Sequence, residues 1–145
     1  MIQFNNLNQE IPYQIFKGKY DEAVYAGQKF VEVISISSFN KRINQVESRY
    51  VNLKFIINNE FIFFSNYKSP KASSFYSHNQ IAALIYWSSI NVQIRIKANI
   101  KKTSNEFNQM LMLEIQHLKF DRLSLVEGVQ IVAEMIWRLE WQCPY

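Results

Sequence analysis

The sequence predicts a mainly β domain with a few helices, and three observations carry that prediction. Residues 92 to 100 alternate without a break: Val92, Ile94, Ile96, Ala98 and Ile100 fall on one face, Gln93, Arg95, Lys97 and Asn99 on the other, which is the period of a half-buried strand. Two runs rich in β-branched and aromatic residues, one ending at Ile57 and the next beginning at Phe61, are joined by Asn58-Asn59-Glu60, a hairpin signal. The 145 residues are 48% hydrophobic and 15% aromatic with only three glycines and three prolines, which excludes a disordered chain and fits a single domain, residues 1 to 145, around one core.

In chain order, residues 1 to 18 are polar with isolated apolar anchors and contain Pro12 and Gly18, so an irregular N-terminal arm is expected there. Lys19 to Ala26 carries Asp21 and Glu22 early and has Gly27 placed to end it, the pattern of a short helix. Phe30 to Ser38 is β-branched with apolar residues on both faces and reads as a central strand. A polar turn follows, and Val46 to Ile57 forms a long second strand. Period two on that strand puts Arg49, Val51, Leu53 and Phe55 on one face and Tyr50, Asn52 and Lys54 on the other. Arg49 and Lys54 therefore share a pocket only if a bulge changes the parity; otherwise they serve different parts of a ligand.

Phe61 to Asn66 is a third strand. Ser69 is a good N-cap and Pro70 suits the first helical position, so a helix is expected from Pro70 to about Ser77. Ile81 to Trp87 and Val92 to Ile100 are the next two strands. Ser104 can cap a helix starting at Asn105, and Leu111 to Phe120 alternates as a closing strand does. Residues 123 to 141 support two readings. Ser124 with Glu127 and the spacing of Leu125, Val129, Val132, Ile136 and Leu139 favour a helix, whereas Gly128 and the supply of Val, Ile and Trp favour a strand.

The formal charge of +4 invites a nucleic-acid partner, but the basic residues are dispersed and the strand aromatics keep aliphatic company, so that reading ranks last. No apolar run reaches the roughly 18 to 20 residues of a membrane helix, and Met1 to Asn5 lacks the form of a signal peptide, which predicts a cytoplasmic protein with no membrane contact. Cys143 is the lone cysteine, and His78 and His117 stand apart, so no metal site is expected. One stretch does offer chemistry. The helix start at Ser69 presents free backbone N–H groups and the positive end of a dipole, with Lys71 in its first turn, a ready place for a phosphate.

Arg49 and Lys54 on one strand, Phe64-Ser65-Asn66 at the end of the next, Ser69 with Lys71 at a helix start and Gln93 on a later strand form an ordered set without a gap from about Arg49 to Ile100. In this set the chain resembles the pyridoxamine 5′-phosphate oxidase family of FMN-binding split barrels. The resemblance implies a six-stranded antiparallel split β-barrel that dimerises with itself and binds FMN at the interface. It also implies that Arg49, Lys71 and Ser69 meet the flavin phosphate while Lys54, Ser65 and Gln93 meet ribityl or ring atoms. Two departures stand out: Pro70 occupies a position where the family often has an arginine, and Phe64, where it usually has tyrosine, cannot donate a hydrogen bond. The segments with which the vitamin oxidases hold a substrate phosphate, among them an Arg-x-His-x-Arg near the C-terminus, have no counterpart here. The expectation is thus an FMN-dependent oxidoreductase of unknown substrate rather than the vitamin B6 enzyme. A non-catalytic holder of flavin or another planar cofactor is the alternative.

Overall fold

Asparagine turns set the strand order. Asn44, Asn58 and Asn91 all have φ between 52° and 55°, a left-handed conformation that asparagine tolerates better than most residues, and each closes an antiparallel hairpin. The computed structural model describes residues 1–66, 78–104, 106–107, 109–110 and 128–137. Its elements are β1 (Gln3–Asn5), α1 (Ile11–Tyr25), β2 (Val33–Asn40), β3 (Gln45–Ile57), β4 (Glu60–Asn66), β5 (Gln80–Trp87), β6 (Val92–Lys102) and β7 (Gly128–Trp137).

The strands pair in the order β3-β2-β5-β6-β7-β4, and β4 returns to β3, so six antiparallel strands close on themselves. β1 adds a short seventh strand, parallel to the end of β3, which makes the whole sheet mixed. β7 settles the double reading of the C-terminal region over 128–137: it pairs with β4 on one side and β6 on the other, and a helix there would leave both partners' ladders open. The expected helix at 70–77 and closing strand at 111–120 lie outside the described residues. Ser104 does act as a cap, its hydroxyl accepting the Phe107 N–H at 3.2 Å. Glu106 just inside that cap has its carboxyl held below the usual range by hydrogen bonds from its own backbone N–H and from Ser104.

The expected irregular arm is corrected by the structure. Residues 3–5 pair with β3, and residues 11–25 form one helix of 15 residues rather than a short one from Lys19. Pro12 sits in the first turn, where no N–H is required, and a Cβ on Gly18 would meet nothing within 4 Å. The glycine therefore costs only its propensity, about 1 kcal/mol, and that is outweighed by burying Tyr13, Phe16, Tyr20 and Ala23 along one face. Gly27, at φ 74°, ends the helix as expected, with Gln28 N–H bonded to the Ala23 carbonyl and Gly27 N–H to that of Val24.

α1 plugs one end of the barrel. Phe16 lies 5.2 Å from Phe61 and 5.6 Å from Trp87 between ring centroids, and the Trp87 indole N–H donates to the Val31 carbonyl at 3.0 Å. Tyr20 completes this end: its buried hydroxyl accepts the Ile2 N–H at 2.9 Å. Burial raises the Tyr20 phenol above its usual range, partly offset by that bond. A phenol whose folded pKa exceeds the unfolded value near 10 supports the fold below about pH 10, and that support fades as pH climbs through the folded value. Tyr20→Phe is expected to cost about 1–2 kcal/mol in urea unfolding at neutral pH, since it strands a buried N–H. The same variant should flatten part of the alkaline loss of stability.

Candidate functional site

The row of inward-facing residues on β2 runs Ile34, Ile36, Ser38, Asn40, all buried, so the barrel interior changes from apolar to polar toward the end opposite α1. In register across from that row stand Val51, Arg49, Glu47 and Gln45 on β3. Arg49 is not a solvated surface cation: its side chain is only 12% exposed and donates to Ser38 Oγ at 3.3 Å, with Glu47 Oε2 3.8 Å from the same nitrogen. Asn40 Nδ2 reaches the same carboxylate oxygen at 3.5 Å, while Asn40 Oδ1 accepts the Arg42 N–H at 3.1 Å. The result is a half-buried cation with its counter-ion, set on two buried polar residues. Glu60, at the start of β4, pairs instead with Lys101 at 2.6 Å.

A bulge decides the parity question. β3 and β4 pair from Ile57↔Glu60 to Leu53↔Phe63, but Phe55 stands opposite Ile62, so Lys54 is the extra residue. Before it, Val51 and Leu53 face the main core; after it, Ile56 does, while Phe55 turns to a separate outer cluster with Ile62, Phe64 and Phe107. Phe55 therefore does not share the face of Arg49, contrary to ideal alternation. Bulges also bend the strand that holds them. Beyond this one β4 continues along β7 as far as Asn66↔Gly128, and β3 toward its start continues along β2. The two strands part there, so 49–52 and 64–66 share no ladder.

Arg49 is on β3 and the Ser65 backbone on β4 beyond the parting, with half-buried Lys54 where the two strands separate. Ser69 and Lys71 lie outside the described residues. The chain leaves β4 at Asn66 and is described again from His78, whose ring stands edge-on to Phe39 at 6.1 Å, so both flanks of 67–77 are at the polar end of the barrel. Gln93 does not join this group. It sits on the outer face of β6 opposite Tyr86, half-buried, whereas Arg49 is on the inner face three strands away, which at ordinary strand spacing is about 14 Å.

That outer face has its own character. Ser35, Ser37 and Ala82 form a floor of small side chains, with Val46, Tyr50, Leu84 and Tyr86 exposed around it. A groove of about 520 Å³ crosses it between Phe39 and Val46 on one side and Lys97 and Asn99 on the other. Among the described residues no group of three or more His, Cys, Asp or Glu is placed to hold a metal, and no helix is long and apolar enough to cross a membrane. Sequence reasoning missed Ser38, Asn40 and Glu47. The signal was present in the β2 alternation, where two polar residues continue the row of Ile34 and Ile36.

A six-stranded antiparallel ring that is sealed by a helix at one end and parts at a bulge toward the other defines a split β-barrel. No family model matches the chain. A curated pyridoxine/pyridoxamine 5′-phosphate oxidase from Colwellia psychrerythraea is 37% identical over 93 residues, 64% of this chain and 42% of that protein. The chain spans less than half the length of the curated relatives it matches. PhzG from Burkholderia lata 383, solved with tetrahydrophenazine-1-carboxylic acid, has a TM-score of 0.72 at 15% identity, covering 86% of this chain and 76% of its own. A pyridoxamine 5′-phosphate oxidase-related, FMN-binding protein from Nostoc punctiforme has a TM-score of 0.62 at 8% identity, covering 83% and 80%. HutZ, the heme storage protein of Vibrio cholerae, has 0.60 at 8% identity, covering 86% and 90%. The three structural likenesses speak for the fold alone. In sequence the chain is similar to the pyridoxine/pyridoxamine 5′-phosphate oxidases, and in fold to the split barrels related to them.

Proposed function

We propose that the chain holds FMN where β3 and β4 part, and that the holder is a homodimer. The observation that carries this reading is the half-buried Arg49 on β3 beyond the point where it leaves β4, a cation already gathered with hydrogen-bonding partners at the polar end of the barrel. Such a group suits a phosphate monoester, which a guanidinium binds through charge-assisted hydrogen bonds. In this reading Ser69 and Lys71 complete the phosphate site, and Lys54 and Ser65 lie toward ribityl or ring atoms. Gln93 belongs to the same cofactor only if a second copy supplies it, because within one chain it faces away from Arg49. The exposed Val46, Tyr50, Leu84 and Tyr86 on the outer face give that second copy an apolar surface to cover.

When bound, FMN supplies the hydride-transfer chemistry; the chain's part is to fix the phosphate, shield the ring from water and orient it by hydrogen bonds. The relation to pyridoxine/pyridoxamine 5′-phosphate oxidases supports an oxidoreductase. A second reading, a planar cofactor kept without turnover, draws on the likeness to the heme storage protein HutZ.

Both readings face one experiment. The chain is mixed with excess FMN, freed of unbound flavin by gel filtration, and followed by absorbance and sedimentation. A yellow species sedimenting as a dimer is expected, and colourless protein would sink the reading. Oxidation of a reduced nicotinamide by the yellow species then separates the enzyme from the holder.

A further inference from the structure

Glu47 precedes Arg49 by two residues on the same face of β3 and stands in register with Ser38, whose hydroxyl accepts from Arg49. Its carboxylate takes two polar neighbours at once, Arg49 at 3.8 Å and Asn40 at 3.5 Å. Asn40 is 95% buried and held by the Arg42 N–H, so it is a fixed post rather than a mobile side chain. Glu47 is 41% exposed at the side chain, close enough to water to be reached by an incoming anion. A negative charge is thus stationed beside the guanidinium that the reading above assigns to the flavin phosphate.

We infer that Glu47 is a specificity-determining residue that tempers anion binding at Arg49, acting as an internal stand-in for part of the phosphate charge. The inference rests on Arg49 being a phosphate ligand. A phosphate that docks on Arg49 comes within several ångströms of the Glu47 carboxylate, and like charges at that range repel. The phosphate must also share or displace a counter-ion that is already in place. Both effects weaken ligands that carry a dianionic monoester while leaving the neutral riboflavin ring system untouched. Glu47 therefore lowers the preference for FMN over riboflavin below what Arg49 alone would give. It also gives the half-buried guanidinium a counter-charge when no ligand is present, which lowers the cost of holding a cation there.

The test is a fluorescence titration of the full chain, Glu47→Gln and Arg49→Ala with FMN and with riboflavin, each at low and at 0.5 M salt. Glu47→Gln keeps the size and the hydrogen-bonding reach of the side chain and removes the charge. It is expected to tighten FMN binding by roughly three- to tenfold at low salt, with riboflavin unchanged and the gain reduced at high salt. An unchanged or lower FMN-to-riboflavin ratio in Glu47→Gln, with Arg49→Ala clearly impaired, overturns the role of Glu47 and leaves Arg49 as the phosphate ligand. If Arg49→Ala binds FMN as the native chain does, or if no form binds FMN, the phosphate reading itself falls and this inference with it.

Discussion

Replacing Arg49 and Lys71 together by alanine is expected to weaken FMN binding by about 3–5 kcal/mol, a factor of roughly a hundred to several thousand, through the loss of two charge-assisted contacts to one phosphate. Arg49 alone should account for about 2 kcal/mol of this. The site is half-buried, so the loss exceeds that of an exposed ion pair, and it should shrink only modestly in salt. Riboflavin, which lacks the phosphate, should bind the native and doubly substituted chains alike. Equal affinity of the two chains for FMN in a calorimetric titration would show that the phosphate is held elsewhere. Because Ser38 and Glu47 remain, the single Arg49→Ala chain reports on the missing cation together with the Glu47 charge that it no longer offsets.

The second large effect is on stability. Trp87→Ala is expected to destabilise the domain by about 3–5 kcal/mol, enough to unfold a good part of a marginal population. Trp87 is 1% exposed, lies 5.6 Å from Phe16 and 6.1 Å from Tyr20 between ring centroids, and ties β5 to the Val31 carbonyl through its indole N–H. Alanine would leave a cavity where the helix plugs the barrel and would strand that carbonyl. Urea unfolding followed by far-UV circular dichroism reads the loss directly. A change below about 1 kcal/mol would mean that α1 does not seal the barrel in solution.

The strands at 33–40, 45–57, 60–66, 80–87 and 92–102 are legible in the sequence because each shows alternation or a dense β-branched run, bounded by turn residues. The turns are legible for the same reason, since asparagine sits where φ must be positive. α1 is not legible over its first two turns. Pro12 and Gly18 carry the local signature of breakers, and only the burial of Tyr13 and the packing of Phe16 against Phe61 and Trp87 make helix the better choice. In the C-terminal region the apolar spacing suits either period. What decides 128–137 is the pairing available on β4 and β6, a non-local fact.

The candidate site divides along the same line. Period two puts Arg49 with Leu53 and Gln93 away from Val92 and Ile94, and the structure agrees because both stretches are regular up to those points. The count fails at Lys54, where one residue leaves the ladder and Phe55 turns outward. Nothing local in Leu53-Lys54-Phe55 announces that bulge, and yet it is what parts β3 from β4. Glu47 has the look of a solvated charge in sequence; it becomes part of the site through Ser38 and Asn40, which arrive from β2. Residues brought together by register across strands are the ones that a reading along the chain misses.

On this reading the parted strands grip a phosphorylated cofactor through Arg49. Equilibrium titration of the native chain with FMN, followed by quenching of flavin fluorescence and read for stoichiometry, tests it most directly. Saturation at one FMN per chain is expected, with weaker binding in Arg49→Ala. A chain that leaves flavin fluorescence unchanged, or binds FMN with no dependence on Arg49, would contradict it.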